Sequence, residues 1–232
     1  MSASFDKAIQ LWDTETGKVI RSFTNKKTPF CVKFHPSDGR QNLFLAGCSN
    51  KKIVQYDINT REIVQQYEEH LGSINTISFI DGGKRFVSTA DDKKIYLWEF
   101  GIPVVAKHVS DPEMNSIPAS TLHPDRAHWA GSSLDDKILI YDCRGNFKPN
   151  KKKEFSGHFN SGYACGLSFS SDGQFLASGD ANGQLWFWSW KTCKNIRTIK
   201  AHEGVCIDVD WHPIEPSKVV TAGWDGTVKL WD

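Results

Sequence analysis

The stretch Ala222–Asp232, AGWDGTVKLWD, combines a tight turn, a short strand of alternating side chains and a closing Trp-Asp pair. Its turn residue stands six positions before an aromatic residue, and the same spacing occurs at five other places. The six pairs are Asp6–Trp12, Asn50–Tyr56, Asp92–Trp98, Asp135–Tyr141, Asn182–Trp188 and Asp225–Trp231. Successive turn residues are 42 to 47 positions apart, so the whole chain is organised as one repeated unit.

Each repeat contains short apolar runs separated by turn residues. In the second repeat these runs are CVKFHPSDG (31–39), NLFLAG (42–47), KIVQYD (52–57) and the more polar REIVQQYEEH (61–70). Runs of this kind, bounded by Gly, Pro and Asp, predict strands. A repeat of about 40–45 residues that ends in Trp-Asp predicts one four-stranded propeller blade. We therefore expect an all-β chain.

The composition limits the class of protein. Repeats cover all 232 residues, which predicts a single domain over residues 1–232. The net charge of +1 gives no general attraction for nucleic acid. The six cysteines form no CxxC pair and lie mostly in apolar runs, which favours a reducing compartment. Because no signal peptide or membrane-spanning run is found, we expect no membrane partner.

The turn and Trp-Asp pattern resembles that of the WD-repeat family, and the resemblance covers the whole chain. The family pattern adds a His before the first strand of a blade and a Ser or Thr four positions before the turn acid. The resemblance implies that these groups satisfy one another in a buried hydrogen-bonded chain. Three sets fit the pattern: His70, Ser88, Asp92 and Trp98; His158, Ser178, Asn182 and Trp188; and His202, Thr221, Asp225 and Trp231.

Two repeats depart from this pattern, and their polar networks are expected to be thin. The second has Ala46 at the hydroxyl position and the fourth has Gly131 there. The same residue types also occur in Ser-His-Asp hydrolases, but a catalytic triad should occur once rather than three times in register. We therefore expect no catalytic residues. A propeller enzyme with convergent acids near the axis is the minor alternative.

The first and last repeats contain fewer strands than the others. The first lacks an innermost strand and the last lacks an outermost strand, which predicts four complete blades plus two partial blades. An open seam would leave apolar blade faces in water. We therefore expect this WD-repeat β-propeller to be part of a seven-bladed ring in a longer protein. A six-bladed ring with two incomplete blades is the alternative.

Several stretches are more individual and resemble the propeller of a family of second-step pre-mRNA splicing factors. The longest are FTNKKTPFCVKFHP (23–36), QNLFLAGCSNKKIVQYDI (41–58), REIVQQYEEHLGSINTISF (61–79), FVSTADDKKIYLWEF (86–100) and KAHEGVCIDVDWHP (200–213). This resemblance implies a non-catalytic nuclear scaffold that acts around exon ligation. Its implied partners are spliceosomal proteins, with small nuclear RNA or intron RNA as a further contact, and it needs no cofactor or small-molecule substrate. A ubiquitin-ligase substrate receptor or a chromatin-peptide reader is the alternative.

Two groups of residues are candidates for binding partners. Phe5, Leu134 and Trp224 each precede a turn residue and are apolar where the loop should be solvated, so they are candidate protein contacts. The alternative is that each packs under a neighbouring loop. The densest basic run consists of Lys148, Lys151, Lys152 and Lys153. These lysines are candidates for phosphate contact, or they simply protect an edge strand from aggregation.

The histidines give no sign of a metal site in the sequence. Three of them, His35, His123 and His212, fall in His-Pro turns that end strands. No set of His, Cys and carboxylate residues has the spacing of a zinc site. The sequence therefore predicts no bound metal.

Overall fold

A computed structural model describes residues 1–232 and shows 22 strands in six antiparallel sheets, with no α-helix. The prediction of an all-β chain is confirmed. The chain divides into two compact units, Met1–Ser116 and Ile117–Asp232, and each contains three sheets. No helix of the structure has the length and apolar character needed to cross a bilayer.

The first unit contains blades 1 to 3. Blade 1 has three strands, and blades 2 and 3 have four each, paired in chain order. A short 3-10 turn follows the first strand of blade 2 and another follows that of blade 3. The strands are β1 Ser2–Ala3, β2 Ile9–Trp12 and β3 Val19–Phe23; β4 Pro29–Phe34, β5 Leu43–Cys48, β6 Ile53–Asp57 and β7 Ile63–Tyr67; β8 Ile74–Ile80, β9 Arg85–Ala90, β10 Ile95–Glu99 and β11 Val105–Val109.

The second unit contains blades 4 to 6. Blades 4 and 5 have four strands, and blade 6 has three, again paired in chain order. The strands are β12 Ala119–Leu122, β13 His128–Ser133, β14 Lys137–Asp142 and β15 Lys148–Ser156; β16 Leu167–Phe169, β17 Phe175–Gly179, β18 Gln184–Ser189 and β19 Asn195–Lys200; β20 Cys206–Trp211, β21 Val219–Gly223 and β22 Val228–Trp231.

The second strands of blades 2 to 5 form the most buried layer. In β5, β9, β13 and β17 every residue after the first is buried. The large rings of Trp98, Trp129 and Trp188 are completely buried. Each such ring removes about 150–250 Å² from water, which stabilises the fold by about 4–6 kcal/mol at ~25 cal/mol per Å². The outer strands are mostly exposed, in keeping with their polar sequences.

The turn between the second and third strands has the same backbone conformation in every blade. The residue after the turn acid has a positive φ between 62° and 77° in all six. This is the left-handed region that Gly adopts most easily, and only two of the six residues are Gly. At Gly183 a Cβ atom would lie 2.1 Å from the carbonyl oxygen of His202, so that position requires Gly. The six residues are Lys7, Lys51, Lys93, Asp136, Gly183 and Gly226.

Two of the His-Pro turns join consecutive blades within a unit. His35 Nε2 lies 3.2 Å from the carbonyl oxygen of Gly83, and His123 Nε2 lies 2.9 Å from that of Gly173. In both cases Nδ1 accepts the backbone N–H two residues later. Both glycines have positive φ, and a Cβ atom at either would lie within 3 Å of the imidazole ring. The histidine and the glycine therefore form one interlocking contact.

Candidate functional site

The polar set of blade 3 forms a continuous hydrogen-bonded chain. Trp98 Nε1 donates to Ser88 Oγ at 2.8 Å, and Ser88 Oγ lies 2.8 Å from His70 Nε2. His70 Nδ1 lies 3.0 Å from Asp92 Oδ2, which also accepts the Leu71 N–H at 2.8 Å. Every polar atom of this buried chain has a partner, so the loop before β8 is fastened to the turn between β9 and β10.

Electrostatics favour the ionised form of the acid in this set. Burial alone would raise the pKa of Asp92, because a carboxylate loses hydration. The hydrogen bonds from His70 and from the Leu71 N–H outweigh this effect and hold the pKa of Asp92 below its usual value. The charged form is therefore the one that stabilises the folded blade.

Blade 6 repeats the arrangement with Thr as the hydroxyl residue. His202 Nε2 lies 2.8 Å from Thr221 Oγ1, and Trp231 Nε1 donates to the same oxygen at 2.9 Å. His202 Nδ1 lies 3.0 Å from Asp225 Oδ1. The Thr227 hydroxyl donates to Asp225 Oδ1 at 2.7 Å, and this bond is the main cause of the lowered pKa of Asp225. The structure thus brings together the predicted set of His202, Thr221, Asp225 and Trp231.

The predicted set of blade 5, with His158 and Ser178, is not assembled, and that prediction is corrected here. Ser178 Oγ bonds to backbone carbonyls, and Trp188 Nε1 donates to the carbonyl of Ser156 instead of to Ser178. Asn182 is exposed and does not bond to His158. Asp180 takes its place: Oδ1 accepts two backbone N–H groups of the turn, and Oδ2 accepts Trp186 Nε1 at 2.8 Å.

His158 is left without a hydrogen-bond partner by this rearrangement. Both ring nitrogens are buried and unpaired, and the ring packs edge-on against Trp188 with centroids 5.2 Å apart. Burial lowers the pKa of His158, since the charged imidazolium would lose its hydration there. The neutral ring therefore acts as a packing group.

The remaining blades have thinner networks, as the missing hydroxyls and histidines predict. In blade 2 the side-chain oxygens of Asn50 and Tyr56 are buried without a partner, and burial raises the pKa of Tyr56 to about 12. In blade 4 the side-chain amide of Asn160, which lies in the loop between β15 and β16, donates to Ser132 Oγ at 3.2 Å. Blade 1 has a Ser at the hydroxyl position of the pattern, four residues before Asp6, and Trp12 Nε1 donates to this Ser2 Oγ at 2.8 Å.

Two of the three candidate protein contacts are strongly exposed. Phe5 is 82% exposed and meets Phe30 edge-on at 5.8 Å in the first unit. Trp224 is 61% exposed and meets Tyr163 edge-on at 4.9 Å in the second unit. Leu134 is half-buried, so less of its side chain is exposed to a partner than in Phe5 or Trp224. Sequence reasoning missed both aromatic partners, because Phe30 and Tyr163 lie 25 and 61 residues away along the chain.

The four lysines of the basic run lie on the outer strand β15 and have different environments. Lys148, Lys151 and Lys152 are exposed and line a shallow groove beside Asp142. Lys153 is partly buried: its ammonium donates to the carbonyl of Trp190 at 2.5 Å and lies 4.1 Å from the centroid of that ring. Three lysines are therefore free to meet an anion, and the fourth holds two blades together.

Comparison with protein families and with curated proteins is consistent with this geometry. Residues 61–99, 149–189 and 193–232 match the family described as WD domain, G-beta repeat. These stretches end with the third strands of blades 3, 5 and 6, whose sequences contain the His, the hydroxyl residue and the Trp. Blade 1 and the first three strands of blades 2 and 4, where one or more of these residues is missing, lie outside the matched stretches.

Three relatives show how far the likeness extends. The chain is 53% identical over 232 residues to Pre-mRNA-processing factor 17 of Homo sapiens and 36% identical over 236 residues to the protein of the same name in Saccharomyces cerevisiae. It is 27% identical over 238 residues to WD repeat-containing protein 25 of Mus musculus. All three matches cover 100% of this chain, but only 40%, 51% and 44% of the relatives. The chain thus spans about half the length of these relatives or less.

The family assignment rests on sequence and structure together. The three matched stretches take in just over half of the chain. The six antiparallel sheets recur at the period of the turn acids, and two of them contain the complete polar set. The chain therefore belongs to the WD40-repeat family of β-propeller proteins.

Proposed function

We propose that this chain is part of a nuclear, non-catalytic scaffold that acts in pre-mRNA splicing around the exon-ligation step. The observation that supports this most strongly is the 53% identity to Pre-mRNA-processing factor 17 along all 232 residues. Identity of this extent includes exposed loops as well as the core. Surfaces that bind partners are therefore expected to be shared, in addition to the fold.

The geometry of the polar sets supports a structural role over hydrolysis. Ser88 is completely buried, so its hydroxyl is inaccessible to a substrate carbonyl. Thr221 is buried in the same way in blade 6. In both sets the hydroxyl also accepts an indole N–H, which holds it inside the blade. The His, hydroxyl and acid combination thus serves to fasten loops.

Protein partners are proposed to bind at the exposed aromatic pairs. Phe5 with Phe30, and Trp224 with Tyr163, each place a large ring in solvent beside a second ring. Exposed aromatic groups in pairs are typical anchors of protein interfaces. Lys148, Lys151 and Lys152 are the proposed contact for RNA phosphates, because all three are exposed on one strand and line one shallow groove.

We further propose that these blades function within a seven-bladed ring. Blades 1 and 6 have three strands each, whereas the other four have four. On β22, the side chains of Val228 and Leu230 are more than two-thirds exposed. A ring of seven blades would cover such surfaces with neighbouring structure and remove unpaired strand edges.

Affinity purification of the tagged protein from nuclear extract tests the proposed function. We expect spliceosomal proteins and small nuclear RNA to be recovered, and Trp224→Ser to weaken this recovery. Ile214→Ser is the matched control, because Ile214 is 80% exposed but has no aromatic partner. Recovery of ubiquitin-ligase or chromatin subunits in place of splicing proteins would contradict the proposal.

A further inference from the structure

Trp224 and Tyr163 form an exposed aromatic corner between blades 5 and 6 of the second unit. Trp224 lies in the turn between β21 and β22, and Tyr163 lies in the loop between β15 and β16. Their ring centroids are 4.9 Å apart and their planes meet at 80°, while Trp224 is 61% exposed. A third ring, that of Phe159, is 49% exposed in the same loop as Tyr163. The corner therefore presents aromatic surface to solvent.

Hydrogen bonds hold both segments that carry the corner. The Trp224 N–H donates to the carbonyl of Val205 at 2.9 Å, and the next residue, Asp225, belongs to the polar set of blade 6. The Tyr163 N–H donates to the carbonyl of Asn160 at 2.9 Å. A side chain that binds here meets rings whose backbone is already ordered, so less conformational entropy is lost on binding.

The loops around this corner are acidic. Five loops lie at the same end of the sheets of blades 4 to 6: 134–136, 157–166, 180–183, 201–205 and 224–227. They contain no Lys or Arg and five carboxylates, those of Asp135, Asp136, Asp180, Glu203 and Asp225. The loops at the opposite end, 123–127, 143–147, 170–174, 190–194 and 212–218, contain three carboxylates and five basic residues. The negative charge is therefore concentrated at the end that carries the aromatic corner.

Glu203 is the carboxylate that stands beside the corner and is free to bind. Its neighbour Gly204 packs against Trp224, because a Cβ atom at Gly204 would lie 3.3 Å from the Cβ atom of Trp224. The side chain of Glu203 is exposed and makes no hydrogen bond or ion pair within the chain. The carboxylate of Asp225, in contrast, already accepts the Thr227 hydroxyl and the Glu203 N–H.

Two lysines border this end of the sheets, and both have partners elsewhere. Lys229 Nζ donates to the carbonyl of Ala201 at 2.6 Å and lies 3.9 Å from Asp225 Oδ2. Lys200 Nζ donates to the carbonyl of Asn182 at 2.8 Å. Neither ammonium pairs with Glu203, so a cation that approaches the corner meets an uncompensated carboxylate.

This combination of groups fits the guanidinium of an arginine. Exposed rings attract cations through their π-faces, and an adjacent carboxylate adds a charge-assisted hydrogen bond. A guanidinium is planar and weakly hydrated, so it stacks on an indole and donates to a carboxylate at the same time, whereas an ammonium is compact and strongly hydrated. The five carboxylates would repel the phosphates of RNA, which favours a protein as the occupant.

We propose that Trp224, Tyr163 and Glu203 bind an arginine side chain of a partner protein. The inference rests on the proposed function, because it specifies the chemistry of the partner that this exposed aromatic pair binds. The contact of His202 with Asp225 at 3.0 Å then serves the site as well as the fold, since it fixes the turn that carries Trp224.

Nuclear magnetic resonance titration of the purified, nitrogen-15-labelled chain with the peptide acetyl-Gly-Arg-Gly-amide tests this inference. The indole N–H signal of Trp224 is identified by its absence from the spectrum of Trp224→Phe. We expect this signal to shift and to saturate with a dissociation constant of about 1–10 mM, as suits a single side chain. The peptide acetyl-Gly-Lys-Gly-amide should bind at least about threefold more weakly. No saturable shift, or equal binding of the two peptides, would overturn the proposal.

One variant and a matched control separate the carboxylate at the corner from a general effect of charge. Glu203→Gln should weaken binding of the arginine peptide by about threefold or more. Glu113→Gln removes an exposed carboxylate in the first unit and should leave the affinity unchanged. Wild-type affinity in Glu203→Gln would show that the assignment is wrong. If this variant loses its fold, the comparison of arginine and lysine peptides on the wild-type chain still decides.

The outcome is distinguishable from that of the proposed role in splicing. The peptide titration uses the purified chain and no other splicing component. Peptide binding can therefore fail while spliceosomal proteins are still recovered from nuclear extract, and that result would overturn the arginine site alone.

Discussion

At the scale of single residues, His158 shows that a side chain can keep its position in a repeat and lose its partners. His70 and His202 occupy the equivalent position and bond through both ring nitrogens. The difference arises from the turn, where blade 5 has Asn182 at the position of the acid and uses Asp180 instead. A sequence pattern records which residues are present, but the choice between two nearby acceptors depends on distances of a few ångströms.

The buried, unpaired imidazole of His158 predicts a pH-dependent stability. Burial lowers the pKa of His158 in the folded chain below the unfolded value of about 6.5, so protonation favours the unfolded state. The free energy of unfolding should therefore decrease as the pH falls below about 6.5. His35, whose pKa burial also lowers, contributes to the same slope.

The substitution His158→Leu tests this explanation. Urea unfolding at about pH 7.5 and about pH 5.5 should show a smaller loss of stability in the variant than in the wild type. At the higher pH the variant should be about as stable as the wild type or more stable, because two unpaired buried nitrogens are removed. An equal pH slope in the two proteins would exclude His158 as the titrating group.

At the scale of the blade, the same turn is supported in different ways. Blade 3 fixes its turn with a complete polar set, whereas blade 1 has the acid and the Trp but no His in its chain of bonds. The positive φ after the acid is nonetheless present in both, at Lys93 and Lys7. The backbone turn is therefore common to all blades, and the polar set is an addition that stabilises some of them.

This comparison predicts unequal effects of one substitution at two equivalent positions. Asp92→Asn removes the charge that pairs with His70 and should lower the free energy of unfolding by about 1.5–3 kcal/mol. Asp6→Asn is the matched control: Asp6 is exposed and accepts mainly the Ala8 N–H, so the effect should stay below about 0.5 kcal/mol. Denaturant unfolding of both variants measures the difference, and equal effects would contradict a special role for the blade 3 set.

At the scale of the whole molecule, local features could be predicted from the sequence and long-range contacts could not. The strands and turns follow from short apolar runs and from the period of the turn acids, so the all-β fold was accessible. The pairing of Trp224 with Tyr163 and the contact of His123 with Gly173 depend on how segments meet in space. Their residues are ordinary in sequence, and only the fold makes them neighbours.

The basic strand β15 gives the last prediction, because its lysines fall into two functional groups. Lys148→Glu, Lys151→Glu and Lys152→Glu combined should reduce ultraviolet crosslinking of the protein to RNA in splicing complexes, since exposed lysines meet phosphates by charge. The combination of Lys26→Glu, Lys27→Glu and Lys33→Glu makes the same change in net charge at another exposed surface and should reduce crosslinking less. An equal loss in both triple variants would indicate a general effect of charge and would contradict a specific contact at β15.

Lys153 should behave differently from its three neighbours on the strand. Lys153→Met removes the ammonium from the ring and the carbonyl of Trp190, so the free energy of unfolding should fall by about 0.5–1 kcal/mol. RNA crosslinking should be unchanged, because this ammonium already has its partners inside the unit. A loss of crosslinking without a loss of stability would show instead that Lys153 leaves Trp190 to bind RNA. The two readouts together therefore distinguish the part of the basic run that holds blades 4 and 5 together from the part that is free to meet a partner.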